Sequence, residues 1–78
     1  IRWEETNYYI IVGSFSNKSN AEKLYNRLNP KDHAMLIIDK KGLYKVIYAY
    51  KTHDETLVEI EKRKSVFPAA WISKKMAQ

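Results

Sequence analysis

The stretch Tyr8-Tyr9-Ile10-Ile11-Val12-Gly13-Ser14-Phe15 constrains this chain more than any other. Rich in aromatic and β-branched side chains and closed by Gly-Ser before a polar run, it reads as a strand that ends at a turn. Both alternate faces are apolar: Tyr8, Ile10 and Val12 point one way, and Tyr9, Ile11 and Gly13 the other. A strand apolar on both sides is normally covered on both sides, which in a small domain makes it a central strand. A chain of 78 residues has little material with which to cover two faces. That mismatch is the most informative property of the sequence.

The length suits one domain near the lower limit for a chain held by its own core. An apolar fraction of 45% argues for a folded unit rather than disorder. With no cysteine there is no disulfide framework, thiolate zinc site or cysteine nucleophile. No apolar run approaches the roughly 20 residues of a membrane helix, and no signal peptide is visible. The abrupt start at Ile1 reads as an excised domain, with any anchor or targeting segment of the parent outside it. The formal charge of +5 favours encounter with anionic partners, although a solvated, soluble surface is the simpler account of it.

Residues 1–7 carry Trp3 and two glutamates without a clear period, as a leader or a start to the first strand. Ser19-Asn20-Ala21-Glu22 has the form of a capping box, and Ala21, Leu24, Tyr25 and Leu28 follow at helical spacing. The pattern predicts a helix over 18–29, stopped by Asn29-Pro30. A second strand is expected over 34–39, then a hairpin turn at Lys40-Lys41-Gly42 and a third strand over 43–50. Alternation puts Tyr44, Val46, Tyr48 and Tyr50 on one side of the third strand and Lys45, Ile47 and Ala49 on the other. Thr52-His53-Asp54-Glu55 is a second capping box, with Leu57, Ile60, Glu61 and Lys64 as the inward stripe of its helix. Val66-Phe67-Pro68 breaks that helix, 69–73 reads as a fourth strand, and Lys74-Lys75 as a frayed tail.

The order β-α-β-β-α-β is the split βαβ, or ferredoxin-like, α+β arrangement: a four-stranded antiparallel sheet with two helices on one face. The other face is then expected to lack cover from this chain. It would show Tyr9, Ile11 and Gly13, Met35 and Ile37, Lys45 and Ile47, and Trp71, whose neighbours Ala70 and Ile72 face the helices. A contiguous apolar platform of this kind is a binding or association surface by default.

Tyr9-Ile10-Ile11-Val12-Gly13-Ser14-Phe15-Ser16 followed by Asn20-Ala21-Glu22-Lys23-Leu24 resembles the opening of a SPOR domain. Gly42-Leu43-Tyr44-Lys45-Val46 and Ala70-Trp71-Ile72 resemble its third and fourth strands. The resemblance implies a single domain over 8–75 with a tail at 76–78, in a bacterial module that binds septal peptidoglycan and prefers glycan strands stripped of stem peptides. It implies a site on the helix-free face, no cofactor, a place in the cell envelope, and divisome or envelope proteins reached through the parent chain. Carried over by position, Ser14 matches the family's first-strand serine, Lys45 falls where an arginine is common, and Trp71 matches a fourth-strand aromatic. Tyr9, Ile11, Met35, Ile37 and Ile47 supply the flat surface for sugar rings. Ile11 stands where the family often has a glutamine that contacts the glycan, so a glutamine restored there is expected to keep or strengthen binding. Lysine at 45 lacks arginine's bidentate fork.

Other readings compete. Ile11, Ile37 and Ile47 could pack beneath Trp3 or a neighbouring domain, and Lys45 alone is an ordinary solvated lysine. His33 and His53 have no metal-ligand spacing and read as surface residues. Glu55, Glu59 and Glu61 look like surface pairing on a helix. No pair of acids suits glycosidic hydrolysis, and no nucleophile has a base beside it, so no enzyme is expected. Lys41-Gly42-Leu43-Tyr44-Lys45-Val46-Ile47-Tyr48 partly matches the third-strand string of the RNA-recognition motif, but Leu43 and Lys45 stand at its base-stacking positions. Nucleic acid is therefore not expected as a partner. RNA-recognition-like binding of single strands is still the first alternative to the glycan reading, and a protein interface on the apolar face is the other.

Overall fold

The computed structural model describes residues 1–29 and 31–76. Strands β1 (Tyr8–Phe15), β2 (Ala34–Ile38), β3 (Tyr44–Tyr50) and β4 (Trp71–Lys74) form one antiparallel sheet in the order β2-β3-β1-β4. Helices α1 (Lys18–Arg27) and α2 (His53–Arg63) complete the β-α-β-β-α-β order of a ferredoxin-like α+β fold. β1 is a central strand, as its two apolar faces require. The core on the helix side joins Ile10, Val46, Tyr48 and Tyr50 to Ala21, Leu28 and Ile60.

The β2–β3 turn follows the sequence. Gly42 has φ of +84°, a region open to glycine at no steric cost. Asp39 closes the turn by accepting from the amides of Lys41 at 2.8 Å and Leu43 at 3.0 Å. Thr52 caps α2 as expected, its hydroxyl accepting from the Glu55 amide at 3.1 Å.

Other expectations are corrected. α1 is capped by Asn17, whose side-chain oxygen accepts from the Asn20 amide at 3.3 Å, so Ser19 lies inside the first turn. α1 ends at Arg27, and the expected stop at Pro30 lies outside the described residues, as do residues 77–78 of the tail. In α2 the inward stripe is shifted by one residue from the sequence reading. Thr56 and Ile60 are buried and Glu59 and Arg63 half-buried, while Leu57 is 46% exposed. Arg63 explains the shift: its guanidinium lies 4.1 Å from the Tyr48 ring centroid and pairs with Glu59 at 3.4 Å. His33 is no plain surface residue either. Its ring stacks on Tyr50 at 4.7 Å, and Nδ1 donates to the Ala49 carbonyl at 2.8 Å.

The largest correction concerns β1. Its register with β3 shifts between Ile11 and Gly13, so Val12 is the extra residue of a β-bulge. Gly13 therefore faces α1 instead of the helix-free side. A Cβ at Gly13 would lie 2.6 Å from Leu24 Cδ2 and 2.8 Å from the Phe15 ring, so glycine permits this close approach.

Candidate functional site

With the bulge in place, the helix-free face resolves into rows of directly opposed residues. Met35, Ile47, Ile11 and Trp71 form one row across all four strands. Ile37, Lys45 and Ser14 form the row beyond the bulge. Ala49, Tyr9 and Ser73 form the row on the other side. Tyr9, Ile11, Ser14, Met35, Ile37, Lys45, Ile47 and Trp71 thus share the one helix-free face, and Gly13 alone of the expected platform leaves it. Ser14 reaches it because of the bulge, since strict alternation from Ile10 would have turned it toward the helices.

The face is not bare. Trp3–Glu5 forms a short 3-10 turn that folds back, and Trp3 packs on the cluster of Ile11, Ile47 and Ala49. Ile11 is 2% exposed and Ile47 0%, so neither presents surface to a ligand while this strap is seated. Tyr9, Met35 and Ile37 are half-buried around them, and the Tyr9 ring lies 5.8 Å from that of Trp3. Ser14 is exposed, and Trp71 is 48% exposed. The accessible platform is therefore the side of Trp71, Ser14, Lys45 and Ile37, bounded by Trp3.

The strap is held at several points. Thr6 is buried and its hydroxyl donates to the Arg2 carbonyl at 3.1 Å. The Asn7 amide donates to the Tyr50 carbonyl at 3.0 Å, and Glu5 pairs with Lys51 at 3.2 Å. Lys51 holds the Glu5 carboxyl below its ordinary value, first by hydrogen bonding.

The expectation of a frayed Lys74-Lys75 tail is also corrected. Lys74 belongs to β4. The Lys75 amide donates to the Asn7 carbonyl at 2.8 Å, and its ammonium donates to the Trp3 carbonyl at 2.6 Å while lying 4.4 Å from the Trp3 ring centroid. Positions 71, 73 and 75 alternate onto the same face, a signal lost by ending the strand at Ser73.

Lys45 is not a free cation. Its ammonium pairs with Asp39 at 3.2 Å, with both side chains only about one-fifth exposed (22% and 21%). The Leu43 amide, and then the Lys45 ammonium and Lys41 amide, hold the Asp39 carboxyl below its ordinary value.

A cleft of about 590 Å³ lies elsewhere, lined by Asp32, His33, Tyr50, Asp54, Glu55, Val58, Glu59 and Arg63. Of its lining, Arg63, Glu59 and the Tyr50 hydroxyl bond to one another, so these groups serve the joint between α2 and β3. Burial raises the Tyr50 phenol above its ordinary value, while Arg63 opposes that rise. Among the described residues no group of His, Asp and Glu could hold a metal ion, and no helix is long and apolar enough to cross a membrane.

A family model of the SPOR domain matches residues 4–74. No curated protein and no solved structure matches the chain. The family match spans both helices and all four strands, leaves Trp3 and Lys75 just outside its ends, and takes in Ser14, Lys45 and Trp71 on the helix-free face. The chain belongs to the SPOR domain family, a family of binding modules known for peptidoglycan binding.

Proposed function

We propose that this domain binds peptidoglycan glycan strands, preferentially those stripped of stem peptides, through the uncovered part of its helix-free face. It acts without catalysis, as a septal or cell-wall localisation module on the periplasmic side of the bacterial envelope. Anchorage and contacts with envelope proteins belong to the parent chain. The observation that carries this reading is Trp71, an indole nearly half exposed on the same face as Ser14 and Lys45 in a chain of this family. A large ring left in water at that position offers a sugar an apolar plane, and nearby polar groups orient it. Once its peptide is removed, N-acetylmuramic acid carries a free lactyl carboxylate, which suits a domain of charge +5.

Sedimentation with intact and amidase-stripped sacculi, with single-stranded RNA as competitor, tests this reading. Preference for stripped sacculi without RNA competition supports it. Trp71→Ala is expected to weaken retention about tenfold, while unfolding stability changes by no more than about 0.5 kcal/mol. Equal failure on both wall preparations would refute the glycan reading, and competition by RNA would replace it with nucleic-acid binding.

A further inference from the structure

Lys45 and Lys75 both lie on the helix-free face, and they differ in electrostatic state. Lys45 is matched by Asp39 at 3.2 Å, and the turn amides that hold Asp39 keep this pair intact. Lys75 has no such match: among the described residues no carboxylate lies within salt-bridge range of it. The residue is half-buried, and its ammonium is held by two neutral groups, the Trp3 carbonyl at 2.6 Å and the Trp3 ring at 4.4 Å. Carbonyl and ring both favour the cation without cancelling its charge. An ammonium has three donors, and among the described residues one is used here. The result is a positioned positive charge beside an apolar platform.

We infer that Lys75 is the cation that meets an anionic group of the ligand on this face, with Trp3 as its positioning residue. The inference rests on the glycan-binding reading and deepens it by naming the residue that meets the lactyl carboxylates of a peptide-free glycan. Lys45 has the lesser part, because an approaching carboxylate there must compete with Asp39. Trp3 acts through Lys75 and by closing the platform over Ile11 and Ile47, so the ligand lies between the strap and Trp71.

The test compares a carboxylate-bearing glycan from stripped peptidoglycan, the same glycan methyl-esterified, and an uncharged N-acetylglucosamine oligomer of equal length. Calorimetry or fluorescence gives the affinity of each, and thermal unfolding reports on the fold of each variant. The unaltered domain should prefer the carboxylate form about tenfold. Lys75→Met should abolish that preference while keeping affinity for the uncharged oligomer, Lys75→Arg should restore it, and Lys45→Met should leave most of it. Trp3→Phe should lower the preference partially, since a smaller ring holds the ammonium less well. Binding by the unaltered domain with no loss on esterification overturns the inference, whatever the variants do. So does a preference that survives in folded Lys75→Met or vanishes in Lys45→Met. No binding of any of these glycans by the unaltered domain refutes the glycan reading itself.

Discussion

Ser14 and Lys45 stand directly opposite each other on β1 and β3, and they do so because Val12 is the extra residue of the bulge between them and the Ile11–Ile47 pair. The same bulge turns Gly13 toward Leu24. Gly13→Ala would place a methyl group inside contact distance of Leu24 and Phe15, forcing both to shift. Overpacking of this kind costs about 1–3 kcal/mol. Urea unfolding should show that loss, together with weaker glycan retention if the bulge relaxes. Unchanged stability would mean that α1 moves freely over β1.

Ile11→Gln addresses the departure from the family's common glutamine. Beneath Trp3 the amide would lose water without an evident partner, where Ile11 is 2% exposed. The substitution should cost about 2–4 kcal/mol, combining lost apolar burial with a desolvated amide. This is the reverse of what position in the family pattern alone suggests. Unaltered stability with stronger binding would show that the strap lifts readily from the sheet.

The cap assignment is tested by Asn17→Ala against Ser19→Ala. Asn17 accepts from the Asn20 amide, so its loss should cost about 1 kcal/mol. Ser19 lies exposed in the first turn and its replacement should be nearly neutral. Chemical denaturation of both variants decides between the two caps, and the opposite ranking would return the cap to Ser19.

Asp39→Asn keeps an oxygen for the Lys41 and Leu43 amides but removes the charge that neutralises Lys45. The turn should persist, and affinity for a carboxylate-bearing glycan should rise about threefold as a second cation is released. Unchanged affinity would place the ligand away from the row of Ser14 and Lys45.

Acid sensitivity follows from three carboxyls, of which Glu5 is held below its ordinary value first by the hydrogen bond from Lys51. Asp39 is held below its ordinary value first by the Leu43 amide, and Glu59 first by the hydrogen bond from Lys62. A depressed folded-state pKa contributes stability that is present above the unfolded value and lost as pH falls through the folded one. Unfolding free energy should therefore start to fall as pH drops below the ordinary glutamate value of 4.5, and continue to fall at lower pH as Asp39 protonates. Asp39→Asn should remove part of that decline. A urea series across pH checks both, and a decline that begins near neutrality would implicate other groups.

Much of this protein was legible from local pattern. Tyr8–Phe15, Tyr44–Tyr50, the turn at Gly42 and the cap at Thr52 are set by neighbours within a few positions, and period and turn chemistry report such interactions directly. From these follow the element order, the central place of β1 and the face carrying Trp71. What remained hidden depends on pairs far apart in the chain. The bulge at Val12 exists because Gly13 can take Leu24 against its backbone while Ser14 keeps register with Lys45. The strap over Ile11 and Ile47 is held by a contact between Lys75 and Trp3, 72 positions apart. The Lys45–Asp39 pair reaches across a turn, and charge counts alone do not reveal it. Sequence therefore determined which side of the sheet is free of helices. Only tertiary packing decided which part of that side meets solvent and which of its cations has no carboxylate beside it among the described residues, because burial and charge neutralisation belong to residues brought together by folding.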